Sequence, residues 1–272
     1  MENWFDKFIL SIQNGASRIG KAITHESSLM IEEKKNIQAL LNREFIYSIN
    51  VEYPSFRTAY NDLIDEVNRI ICGKVIDVIT RVVGDVEISE TEEPQTEVTD
   101  PSNSEDLYIN YNIEYISKKL ASIRFIITSY ASGMVHPLHN IFTLNFDLCK
   151  AQLLSIKDLF RNDINYLNFL SSYCLKELII QLEKEGEIYF SEEGLASKKD
   201  QLNLLESGTA PEENNFLNFC LNQDGIIILF NEYTLGPYSW GQRRVELPYS
   251  KLIDILNNQI INEEFLITNN LK

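Results

Sequence analysis

Hydrophobic and polar positions divide this chain into segments of helical period and segments of period two. Trp4, Phe5, Phe8, Ile9, Ile12, Ile19 and Ile23 recur at helical spacing and predict an amphipathic helix over residues 2–24. The charged run 26–43 predicts a further helix, a spacer before the first strand. From Glu44 to Tyr53 the pattern alternates, with Phe45, Tyr47, Ile49, Val51 and Tyr53 on one face. That is a half-buried strand, stopped by Pro54. Residues 58–82 carry one apolar stripe, from Tyr60 through Val67 and Ile71 to Ile79, and predict a long helix weakened or kinked at Gly73. Alternation returns at 107–116, and strands follow at 120–130 and 141–148, the first two joined by a turn at Lys118-Lys119. Leu167, Leu170, Cys174, Leu178 and Leu182 mark a helix over 166–182. The polar stretch 183–215 reads as a long loop.

The densest patterning lies between Asp224 and Leu252. Asp224-Gly225 is a turn dipeptide whose glycine tolerates positive φ. Ile226 to Phe230 are apolar without a break, as in a strand buried on both faces. Residues 216–221 pair with that run across the turn. Val245 to Tyr249 is a second short strand, and Lys251 onward reads as a helix. Between the two strands lies an aromatic loop punctuated by Gly236, Pro237 and Gly241. Both glycines are predicted to hold backbone angles that only glycine reaches.

The fold class that follows is α+β, a mainly antiparallel sheet with helices packed on one face, in two intimately packed subdomains. The organisation predicted is a helical segment at 1–43, a small α+β unit at 44–106 and a larger one at 107–272. With 272 residues and 44% apolar content the chain can bury a sizeable core. Its formal net charge of −16 offers no basic surface to nucleic acid and favours a basic protein or a cation. Residues 84–106 hold nine of the acidic residues and no basic one, and read as an exposed loop without the fixed spacing of a calcium site. The four cysteines stand apart in sequence, so they form no metal knuckle and no redox pair of adjacent thiols. Cys72 and Cys174 fall on apolar helical faces, as buried thiols do.

No segment reaches the roughly 20 apolar residues of a bilayer span. The N-terminus does not read as a signal peptide, because Glu2 and Asp6 outweigh Lys7 and the apolar run after them is short. By sequence the chain is cytoplasmic, and its first helix could face a partner or a membrane surface.

Candidate chemistry is sparse. His136 and His139 could bring two imidazoles together, but zinc needs a third and fourth ligand that nothing signals. No nucleophile elbow or comparable catalytic context is present, and no cofactor is implied. The strongest candidates for a binding surface are Tyr233, Tyr238, Trp240, Arg243 and Arg244, since aromatics with arginine are typical interface anchors. Trp240 is expected to be exposed.

The spaced residues Phe230, Tyr233, Pro237-Tyr238, Gly241, Val245, Leu247-Pro248-Tyr249 and Leu252 resemble a bacterial family of domains. It occurs in the extracytoplasmic part of the lysozyme-sensing anti-sigma-V factor and ahead of the catalytic domain of a peptidoglycan deacetylase. That family's loop reads Y-x-x-x-P-Y-A-x-G, with Ser239 here in place of the alanine. Gly133-x-x-His136, Asn145-Phe146-Asp147-Leu148 and Ile156-Lys157-Asp158-Leu159-Phe160 are similar to its other motifs. Cys149-Lys150-Ala151 stands where the family has threonine and glycine, so the turn there is expected to differ. The order from strand 44–53 into the following helix resembles the family's companion domain. The resemblance implies an exported, non-catalytic binding or sensing module, with His136 an ordered loop residue. Its ligand would be a basic protein such as a lysozyme, or a cell-wall glycan. The deacetylase signature T-F-D-D-G-P is absent. A hydrolase of cell-wall glycan is the alternative, and a cytoplasmic protein-interaction module using the N-terminal helix is a third reading.

Overall fold

The computed structural model describes residues 19–25, 28–42, 46–58, 63–83, 104–188 and 198–261. The helix expected over 2–24 lies outside these residues up to position 18, and so does most of the acidic stretch 84–106. The fold is α+β, with ten strands and three α-helices among the described residues. The residues fall into two compact units. The first comprises 1–112, 125–138 and 148–151. The second comprises 113–124, 139–147 and 152–272.

In the first unit the strands run in the order β1 (Ile19–His25), β2 (Ser28–Asn42), β3 (Ile46–Arg57), β4 (Ser104–Ile116) and β5 (Leu120–Ala131). Two expectations are corrected here. Positions 19–24 are strand, not the end of a helix, and the described part of the run 26–43, Ser28–Asn42, is β2, not a helical spacer. The Glu, Lys and Gln content of β2 favours helix, but the segment is hydrogen-bonded on both sides, to β1 and β3, and that ladder overrides local propensity. Its Glu33 is buried between Lys35 at 3.0 Å and Arg57 at 2.9 Å. β3 also continues past Pro54 to Arg57.

Helix α1 (Ile64–Val83) follows β3 and runs unbroken through Gly73. Its stripe Ile64, Val67, Ile71, Val75, Val78 and Ile79 is buried. The Asn68 amide clamps β3, accepting from Phe56 N at 2.7 Å and donating to Phe56 O at 2.8 Å. Because this helix carries the chain back, β4 joins β3 in parallel, Ile49 opposite Leu107 and Val51 opposite Ile109. The otherwise antiparallel pattern is broken at that one pair of the described register.

In the second unit β4 and β5 continue to a turn where Ser117 Oγ accepts from Lys119 N and Leu120 N, and β6 (Leu138–Asp147) and β7 (Gln152–Leu153) follow in sheet order. In the turn between β6 and β7, Ala151 is left-handed, at φ 50°.

Helix α2 (Tyr166–Glu185) is capped by the Asn165 side chain and ends at Gly186 with φ 75°. Helix α3 (Lys198–Gly208) lies inside the stretch expected to be loop. Only Leu205 of its apolar residues is fully buried, which is why so little stripe is visible. A second sheet has the order β10-β9-β8, all antiparallel: β8 (Phe219–Leu221), β9 (Gly225–Phe230), β10 (Arg243–Pro248). β9 is central and buried along its whole length, as its unbroken apolar run predicts. The helix expected after Lys251 does not form among the described residues, which end at 261. A single 3-10 turn at Tyr249–Lys251 gives way to backbone pairing, in which Arg161 N donates to Ile255 O and Asn257 N to Leu159 O.

All four cysteines are free thiols. Burial pushes Cys174 and Cys220 up to about 12, whereas Cys149 is exposed. A thiol reagent at pH 8 should therefore label Cys149 first and leave Cys174 and Cys220 untouched until urea is added. Loss of the fast phase in Cys149→Ser checks this; a fast phase that persists would contradict it.

Candidate functional site

The aromatic loop is built out from β9. Two side chains fix its start to β6. Asn231 Oδ1 accepts from Ile141 N at 2.6 Å and its amide donates to Ile141 O at 3.3 Å, so the side chain stands in for a strand neighbour. Glu232 Oε2 accepts from His139 N at 3.0 Å. The chain then reverses, Thr234 N donating to Asn231 O. Of the two residues inside this turn, Glu232 and Tyr233, the second has φ 63°. A bulky residue in the left-handed region costs about 1–3 kcal/mol, and such strain concentrates at functional sites. It sets the Tyr233 ring in solvent, 54% exposed, tilted against Tyr238 with centroids 5.8 Å apart.

From Pro237 the loop tightens into a 3-10 turn, with Trp240 N donating to Pro237 O and Gly241 N to Tyr238 O. The Trp240 indole folds inward and is 4% exposed, against the expectation that it is a surface residue. It lies over Gly236, whose missing Cβ leaves room for the ring. Gly236 therefore serves close packing and not a special φ. Gly241, at φ 63° and ψ −165°, does hold angles that essentially only glycine adopts.

Arg243 is also turned inward. Its guanidinium pairs with Glu185 of α2 at 2.5 Å, and the side chain is 10% exposed. Arg244 points out and pairs with Glu246 at 2.9 Å. The edge of β10 is covered by α2: Gln181 Nε2 donates to Arg244 O and Tyr173 OH to Glu246 O. His136 belongs to the first unit, half-buried, with Nδ1 3.2 Å from Pro137 O. Of the six sequence candidates, then, Tyr233 and Tyr238 meet on the loop, and Arg244 is exposed on β10. Trp240, over Gly236, and Arg243, paired with Glu185, are turned inward. Among the described residues no three His, Cys, Asp or Glu side chains are grouped so as to hold a metal ion. No described helix is long and apolar enough to cross a membrane.

Residues 157–250 match the family described as a protein of unknown function, DUF3298. The chain is similar to the peptidoglycan-N-acetylmuramic acid deacetylase PdaC of Bacillus subtilis, 27% identical over 227 residues, which is 84% of this chain and 43% of that protein. It thus spans less than half of that relative's length. Two crystal structures of DUF3298 proteins share the fold. One, from Bacteroides fragilis, has a TM-score of 0.54 at 20% identity and covers 92% of this chain and 96% of that one. The other, from Pseudomonas aeruginosa, has a TM-score of 0.56 at 15% identity and covers 84% and 95%. The chain therefore resembles PdaC-like proteins that carry this domain, and the matched region contains the whole aromatic loop.

Proposed function

We propose that this chain is a non-catalytic recognition module of the cell envelope and that the Tyr233–Tyr238 pair is its contact surface. The observation that carries the reading is the pair itself: a strained backbone and a buried Trp240 hold two aromatic rings at the surface. Preorganised aromatic anchors lose little entropy on binding. The similarity to a peptidoglycan deacetylase suggests a cell-wall component as ligand, and co-sedimentation with purified peptidoglycan sacculi tests it. The double variant Tyr233→Ala/Tyr238→Ala should cut retention about tenfold while the melting temperature stays within a few degrees. Retention equal to wild type would refute the loop as the surface. Release of acetate or of sugar fragments from the sacculi would favour the hydrolase alternative.

A basic protein of the lysozyme type is a second reading, favoured by the net charge of −16. Surface binding kinetics against a lysozyme should then show association slowed by salt and dissociation raised by the same double variant. Binding that vanishes with salt and ignores the two tyrosines would be charge attraction alone.

A further inference from the structure

The face of β2, β3 and β4 turned away from α1 carries a second feature, a groove of about 310 Å³ in the first unit. Its floor is main chain. Ile37, Val51 and Ile109 line it, yet their side chains are 3%, 1% and 1% exposed and point to the opposite, buried face. Its walls are Asn36, Asn50, Glu52, Tyr108 and Asn110. Register sets their spacing: Asn36 stands opposite Glu52, and Asn50 opposite Tyr108. Adjacent strands lie about 4.8 Å apart, close to the width of one sugar ring.

Asparagine is depleted in strands, yet three adjacent strands each place one here. Among the described residues the side chains of Asn36, Tyr108 and Asn110 make no hydrogen bond, and Asn50 reaches only Ser48 Oγ at 3.4 Å. Glu52 is neutralised by Lys34, so the groove carries no net charge in a chain of −16. An ionic ligand gains nothing there. An uncharged, polyhydroxylated one does, because each amide offers two donors and an acceptor to neighbouring hydroxyls. The Tyr108 ring, 45% exposed, supplies an apolar platform for the C–H face of a sugar.

We infer that this groove binds a short neutral oligosaccharide, with Tyr108 as stacking platform and Asn36, Asn50 and Asn110 as hydroxyl partners. The site is built independently of the Tyr233–Tyr238 loop. Calorimetric titration of the full chain with tetra-N-acetylchitotetraose and with cellotetraose tests it. At least one should bind saturably, with Kd on the order of 1 mM or tighter. Tyr108→Ala and Asn50→Ala/Asn110→Ala should each weaken that binding about tenfold. The loss caused by Tyr108→Ala should be the same in wild type and in the Tyr233→Ala/Tyr238→Ala background, so failure here and failure of the loop reading are separate results. All the altered groups are at least partly exposed, and an unchanged melting temperature confirms that each variant folds. The inference is overturned if neither sugar binds, or if binding survives Tyr108→Ala.

Discussion

Asn145→Leu should destabilise this protein by about 3–5 kcal/mol, read as a lowered urea midpoint. The reason lies at the outer edge of β8. One side of this three-residue strand pairs with β9. The other side is hydrogen-bonded by side chains from β5 and β6. Asn145 Nδ2 donates to Phe219 O at 2.8 Å, and Thr143 Oγ1 accepts from Phe219 N at 3.1 Å. Ser122 Oγ accepts from Leu221 N at 2.9 Å and donates to Asn145 Oδ1 at 2.7 Å. Ser122 is 0% and Asn145 2% exposed, so water cannot replace either. Leucine matches asparagine in shape but strands Phe219 O and the Ser122 hydroxyl. Each buried orphan costs about 1–3 kcal/mol. Ser122→Ala in the Asn145→Leu background should add less than it does alone, because the two share one network. A midpoint equal to wild type for Asn145→Leu would refute the account.

That network also marks where the sequence stops being readable. β9 announces itself, since an unbroken apolar run has few other uses. The β4 and β5 alternation and the α1 and α2 stripes are equally plain, because burial on one face imposes a period. A lone Asn or Ser inside an apolar strand carries no such period. Asn145 reads as a flaw in the pattern of β6 until its partner on β8 is known. β2 misled for a related reason: its residues favour helix, and only the strands on both sides of it decide otherwise. The parallel β3–β4 pair was implicit in the helix between the two strands, which a meander does not accommodate. In the loop, Tyr233 and Tyr238 are candidates only as aromatics near arginine, and nothing in their spacing tells which ring faces out. Trp240 was misjudged because the small residue that receives its ring, Gly236, looks in sequence like a turn glycine.

Gly225→Ala should cost about 3–5 kcal/mol, more than the same change at Gly236 or Gly241. Sequence suggests that Gly225 is needed for positive φ, but its φ is not positive. What it provides is proximity. It faces Pro248 across the β9–β10 pair. A Cβ there would fall inside van der Waals contact of Leu247 O, 2.8 Å from Leu247 C and 2.9 Å from Pro248 Cα. All three are main-chain atoms, so no rotamer change relieves the clash, and β10 must shift as a whole. Gly236→Ala meets the Trp240 ring instead, which is side chain, and should cost about 1–3 kcal/mol. Gly241→Ala meets no atom within 4 Å and is penalised only by its backbone angles, again about 1–3 kcal/mol. The three mechanisms separate in double variants. Trp240→Ala removes the obstacle above Gly236, so Gly236→Ala should add almost nothing in that background. The same background should leave the Gly241→Ala penalty in place, and Gly225→Ala should keep its full penalty there too. If Trp240→Ala instead relieved Gly225→Ala, the main-chain contact with Leu247 would not be what limits that position.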